Sequence, residues 1–156
     1  MRCWLMLPLA AIAGAGVAQP TNVQTDSAEL VRRCVPAGME SRAMSELSAA
    51  QRETMMSCAQ GEAARQLNAQ TPILVDEISA VDAVTAEGTQ LTYHMQVLVN
   101  LADVTDAQRA GVVQATRGNV CGLEQMRRTM AMGGSYRYIW TDRTGAEIAR
   151  TVIAGC

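Results

Sequence analysis

The stretch Leu91-Thr92-Tyr93-His94-Met95-Gln96-Val97-Leu98-Val99-Asn100 decides the fold class. Leu91, Tyr93, Met95, Val97 and Val99 alternate with Thr92, His94, Gln96 and Asn100, the period of two that marks a strand with one buried face. Upstream, 73–84 is rich in β-branched residues, with its alternation broken at Asp76-Glu77, and Glu87-Gly88 reads as the turn joining the two strands. Downstream, Tyr136, Tyr138 and Trp140 share one face of a further strand, and Arg137, Ile139 and Thr141 share the other. Asp142-Arg143-Thr144-Gly145 has the composition of a type I turn followed by glycine, after which 146–154 returns as a partner strand. The pattern predicts two β-hairpins.

Helical signals surround them. Asp26 or Ser27 caps a short helix to 33, ended by Pro36-Ala37-Gly38. Ser48 with Gln51 is a capping box that opens a longer helix to 68. Met55, Met56, Ala59, Ala63 and Leu67 recur there at helical spacing, leaving Arg52, Glu53, Glu62 and Arg65 to water, and Pro72 stops it. Thr105 with Gln108 forms a second capping box for a helix to 116, which Gly118 breaks; a further helical stretch covers 120–131, and Gly133-Gly134 ends it. Hairpins need no crossover, so the predicted fold is α+β: a mostly antiparallel four-stranded sheet (ββαββ) with helices on one face, preceded by a disulfide-stapled helical hairpin.

The amino terminus reads as an address. Arg2 supplies a positive start, 4–13 is an apolar run, and Gly16 and Ala18 place small side chains before a cleavage point. The run falls short of the roughly 20 residues that span a bilayer. Residues 1–18 are therefore expected to be a signal peptide and 19–156 a single exported domain. Cys3 leaves with that peptide, and Cys34, Cys58, Cys121 and Cys156 remain. An even number in an exported chain reads as disulfides; four cysteines allow three connectivities. The division into an N-terminal and a C-terminal pair favours Cys34–Cys58 and Cys121–Cys156, each worth on the order of 3 kcal/mol for its loop. Such bonds belong to a periplasmic or secreted protein.

Composition narrows the function classes. The 156 residues carry 13 basic and 15 acidic side chains, a formal charge of −2, and no lysine. That balance gives no basic footprint for nucleic acid. At 49% hydrophobic and 18% charged, the chain is long enough for one globular core.

Pro72, Val75-Asp76-Glu77, Leu91-Thr92-Tyr93, Cys121, Tyr136-Arg137-Tyr138, Asp142, Gly145, Ile148 and Cys156 together form a loose pattern over about the last ninety residues. In this the chain resembles a group of small exported proteobacterial proteins of unknown function, in which a helical start precedes two hairpins around a helix. The resemblance implies a periplasmic home and this architecture, and it assigns no catalytic residue.

Residues that could carry chemistry are few. His94 is the one histidine, on the polar face of its strand; a hydrolase would have to combine it with Asp76 or Asp82. The chain contains no GxSxG, HExxH, P-loop or GxGxxG motif. Asp76 and Glu77 are adjacent, so on a strand they point to opposite faces; as charges they suit a guarded sheet edge or a contact surface. Met126, Met130 and Met132 with His94-Met95 have the softness of a Cu(I) site, but a chain without Phe also needs methionine to fill its core. Tyr136, Tyr138 and Trp140, with Arg137 beside them, are core residues if helices cover their face and a protein-binding patch if they do not. The leading expectation is a non-catalytic, cofactor-free periplasmic protein that binds a protein partner in the cell envelope: an accessory, inhibitor-type or immunity-type factor. Its binding residues are expected among Tyr136, Arg137, Tyr138, Trp140, Asp76 and Glu77. The runners-up are a small hydrolase built on His94 and a metal-handling protein built on Met and His.

Overall fold

Ser48 opens the longest helix by a reciprocal cap: its hydroxyl accepts from the Gln51 amide at 3.2 Å, and Gln51 Oε1 accepts from the Ser48 amide at 2.8 Å. In the computed structural model, which describes residues 27–38 and 46–156, this helix is the second of four. The order is α1 Ser27–Cys34, α2 Ala49–Asn68, β1 Ile73–Leu74, β2 Ser79–Glu87, β3 Gln90–Val97, a 3-10 turn Leu101–Asp103, α3 Asp106–Gly122, α4 Glu124–Ala131, β4 Ser135–Thr141 and β5 Glu147–Ile153. The expected signal peptide, residues 1–18, lies outside the described residues.

The fold is α+β, with the two predicted hairpins, but the sheet has five strands in the order β1-β2-β3-β4-β5 and is mixed. Two causes separate it from the four-stranded, mostly antiparallel expectation, and the first is local. Where the alternation breaks, the Asp76 carboxylate accepts from the Ile78 amide at 2.9 Å, and the amides of Val75 and Asp76 both donate to the Ser79 carbonyl. This side-chain-closed turn folds 73–74 back along β2 as an extra antiparallel strand, Ile73 opposite Val81 and Leu74 opposite Ala80. The second cause is tertiary. β3 and β4 lie side by side and parallel, from Gln90–Ser135 to Gln96–Thr141. Parallel neighbours require a crossover, and α3 with α4 supplies it. The other neighbouring pairs, β2–β3 and β4–β5, are antiparallel.

Helices and sheet share one core. Val84 and Ile153 are completely buried, and Val120, Leu91, Met95 and Tyr136 are nearly so. Toward it α2 presents Met56, Gln60, Ala64 and Leu67, a stripe about one residue round from the predicted one. The shift follows from two polar residues. Gln60 is only 4% exposed because its carboxamide reaches the Thr89 carbonyl at the β2–β3 turn. Glu62, expected in water, is 8% exposed because it faces Arg33 of α1 and is met by Arg65 of its own helix.

α3 also differs from expectation. It begins at the predicted cap, Thr105 with Gln108, yet runs through Gly118 to Gly122 and yields to α4 only at Leu123. One exposed helical glycine costs about 1 kcal/mol, less than the surrounding turns gain by burying Thr116 and Val120. Gly133, at φ +94°, then ends α4, its amide donating to Met130 and the next to Thr129.

Disulfides pair Cys34 with Cys58 and Cys121 with Cys156, the pairing the spacing favours. The first staples α1 to α2; the second ties the end of α3 to the segment after β5. Both fit an exported protein.

Candidate functional site

Tyr136, Tyr138 and Trp140 project from β4 onto the face that the helices cover. Tyr136 is 5% exposed; Tyr138 and Trp140 are half-buried against the same core. Tyr93 of β3 lies opposite Tyr138, the two rings stacked with centroids 4.9 Å apart and planes 11° from parallel. Burial pushes both hydroxyls well above the ordinary tyrosine range, reinforced at Tyr93 by the Tyr136 phenol and at Tyr138 by the phenols of Tyr93 and Tyr136. Burial also raises the Tyr136 hydroxyl, against the Thr129 hydroxyl, which bonds it. The Trp140 indole N–H is buried without a hydrogen-bond partner among the described residues.

The remaining residues singled out from the sequence lie elsewhere. Arg137 stands on the face away from the helices, beside Thr92 of β3 and Val152 of β5. His94 occupies that same face. Its Nε2 meets the Thr85 hydroxyl at 3.1 Å, and among the described residues no carboxylate bonds it; Asp82 lies in the β2 bulge between Val81 and Ala83, one residue before the strand partner of His94. Asp76 and Glu77 are exposed in the β1–β2 turn at one end of the sheet. The Asp76 carboxyl stays below its usual range: burial works against this, but the Ser79 hydroxyl and the amides of Ile78 and Ser79 outweigh it. Around this turn Leu74, Ile78 and Leu98 are 76%, 52% and 62% exposed, and the Leu98 amide donates to the Ile78 carbonyl. The six residues thus occupy three separate places.

The methionines divide in the same way. Met95 and Met130 are core residues with Met126 packed on them, Met132 is exposed beyond α4, and His94 points away from Met95 across the sheet. Among the described residues no three His, Cys, Asp or Glu side chains gather in a way that could hold a metal ion.

One concavity was not legible in the sequence. Where α3 lies along β5, a groove of about 470 Å³ opens between them. Val113 of α3 with Ile148 and Ala149 of β5 gives it an apolar floor, and Arg109, Arg117 and Arg150 line it as well. Arg109 is anchored: its Nη1 donates to the Ile148 carbonyl at 3.1 Å and its Nη2 to the Val104 carbonyl at 3.4 Å. Arg117 donates to the Gly155 carbonyl at 3.1 Å. Arg150 forms a two-pronged pair with Glu147, at 3.3 and 2.5 Å, which raises its pKa further. Spacing is the only trace in the chain: Arg109, Val113 and Arg117 recur every fourth residue on α3.

At the closed end of the β4–β5 hairpin, Asp142 gathers the amides of Thr144, Ala146 and Leu101, at 2.7, 2.9 and 3.1 Å, and the Thr144 hydroxyl at 2.6 Å. Led by the Thr144 hydroxyl, against the opposing effect of burial, these donors lower its carboxyl to about 2. The bonds tie the hairpin to the approach to α3, and so hold the two walls of the groove together.

No protein-family model and no curated protein matches the chain. Three solved structures share its architecture. A protein from Pseudomonas aeruginosa described as secreted aligns at TM-score 0.57 and 22% identity, over 65% of this chain and 91% of its own. The pilotin EpsS of the Vibrio vulnificus type 2 secretion system aligns at TM-score 0.59 and 16% identity, over 67% and 92%. The pilotin AspS of the Vibrio cholerae type II secretion system aligns at 0.56 and 21%, over 67% and 93%. At such identities the likeness is one of fold: the sheet and helices of this disulfide-bonded chain are built as in small secreted and secretion-system proteins.

Proposed function

We propose that this chain is an exported, non-catalytic protein-binding factor of the bacterial cell envelope, working in the periplasm as an accessory of pilotin type. The observation that carries the reading is the alignment of its fold with two type II secretion pilotins over more than nine-tenths of their length. The two disulfides support an oxidising compartment. The placement of His94, bonded to a threonine hydroxyl and, among the described residues, to no carboxylate, speaks for a surface polar residue over the base of a hydrolase.

The experiment is cross-linked capture of the tagged protein from its native envelope fraction, paired with a deletion strain assayed for assembly of its outer-membrane secretion complex. One partner recovered in stoichiometric amount from wild type and from His94→Ala alike, with assembly impaired in the deletion, is the expected result. An empty capture at full expression, or a hydrolytic activity lost in His94→Ala, would overturn the proposal.

A further inference from the structure

Resting on the protein-binding reading above, we infer that the groove between α3 and β5 is the docking site for an acidic segment of the partner protein, one that also carries apolar side chains. Among the described residues three arginines line it and no carboxylate does, in a chain whose formal net charge is −2. Arg109 and Arg117 stand two turns apart on α3, about 12 Å along the helix axis, with Val113 between them on the same side. Arg150 borders the groove from the edge strand β5, where it lies opposite Ile139 on the sheet face away from the helices. The cations are therefore spread along an apolar floor. They do not converge on a point, as the cradle of a single phosphate would require. Carboxylates placed at intervals along a chain match that spread, and apolar side chains between them match Val113, Ile148 and Ala149.

The arginines are held in place yet open to exchange. Arg109 grips two backbone carbonyls, so its position survives whatever happens to its pairing with Asp106, a fully exposed residue 3.6 Å away. Arg150 pairs with Glu147, a partner 43% exposed on its side chain. Pairs of this kind in water are weak enough for an incoming carboxylate to replace. Arg117 has a backbone carbonyl and no carboxylate among its partners in the described residues. Charge complementarity of this sort steers encounter and sets register, while the apolar floor holds the segment.

The test titrates the mature, oxidised protein with a labelled peptide of repeated Glu-Ser-Leu triplets, its Lys-Ser-Leu counterpart, and vesicles containing phosphatidylglycerol. The acidic peptide is expected to bind, and the double variant R117E/R150E to weaken it about tenfold or more while keeping the wild-type thermal midpoint; added salt should weaken it likewise. Equal binding of the basic peptide, or unchanged affinity in the double variant, would overturn the inference. Vesicle binding lost in that variant, without peptide binding, would assign the groove to anionic lipid. In the native envelope, a photo-cross-linker at Gln114 is compared with ones at Thr85 and Glu77. A partner caught only at Thr85 or Glu77 leaves the protein-binding reading standing and removes the groove. No partner at any position removes that reading, and the peptide titration still decides what the groove binds.

Discussion

Where β2 runs past the two-residue β1 and becomes the free edge of the sheet, Asn68 of α2 offers its carboxamide to Val84 as a neighbouring strand would, accepting from the Val84 amide at 2.8 Å and donating to its carbonyl. At the β5 edge, arginines of α3 take single carbonyls, those of Ile148 and Gly155, and leave a groove between the helix and the strand. Behind the first edge lies a dense polar seam: Glu62 meets Arg33, Arg65 and Gln66, and Glu29 meets Arg32, Arg33 and Arg65. Behind the second lie an apolar floor and cations with exposed partners. Each side has a disulfide, so cross-linking is not what separates them. The difference lies in the length of the side chain that meets the backbone. A short amide brings helix and strand into contact, whereas arginine reaches across a gap and keeps it open.

The largest effect is expected from C121S/C156S, which frees the end of α3 from the segment after β5. Loss of about 4 kcal/mol of stability, read by urea denaturation, should accompany loss of partner binding. C34S/C58S should cost about 3 kcal/mol and leave binding intact, because α1 packs on α2 and forms no wall of the groove. Asn68→Ala strips two hydrogen bonds from the β2 edge and is expected to cost about 1–2 kcal/mol, seen as faster amide exchange at Val84.

Acid should act on both sides. The Arg65 guanidinium, together with Gln66 and Arg33, outweighs burial and lowers the Glu62 carboxyl to about 2; the donors around Asp142 do the same for its carboxyl. A folded value below the unfolded one means that each group stabilises the fold above the ordinary carboxylate range. That contribution disappears as pH falls through about 2. Thermal midpoints measured downward from pH 5 should therefore fall less steeply in Glu62→Gln and Asp142→Asn than in wild type, from a lower start. His94→Ala should be the smallest change, within about 0.5 kcal/mol, since it removes one exposed contact with Thr85.

What the sequence made legible was local. The two capping boxes, the β4–β5 turn and the strand alternation of β3 and β4 are all set by residues within a few positions of one another. Features made by distant partners were hidden. The break at Asp76-Glu77 looked like a flaw in one strand, because an aspartate that closes a turn and one that merely interrupts a pattern have the same hydropathy. Gln60 hid the core stripe of α2, its polarity being satisfied by a carbonyl 29 residues away. The parallel pairing of β3 with β4 depends on how two hairpins dock, and neither hairpin encodes it alone. Of the candidate site, the aromatic row was legible as a face and its burial was not. The groove arginines are brought together only when α3 lies on β5.

The most direct test is amide hydrogen exchange of the oxidised protein, alone and bound to the partner recovered from the envelope. If the α3–β5 groove is the working surface, binding slows exchange in 106–122 and 147–153 and leaves the β1–β2 turn at 75–78 unchanged. Protection confined to that turn, or to the sheet face carrying His94 and Arg137, would contradict it.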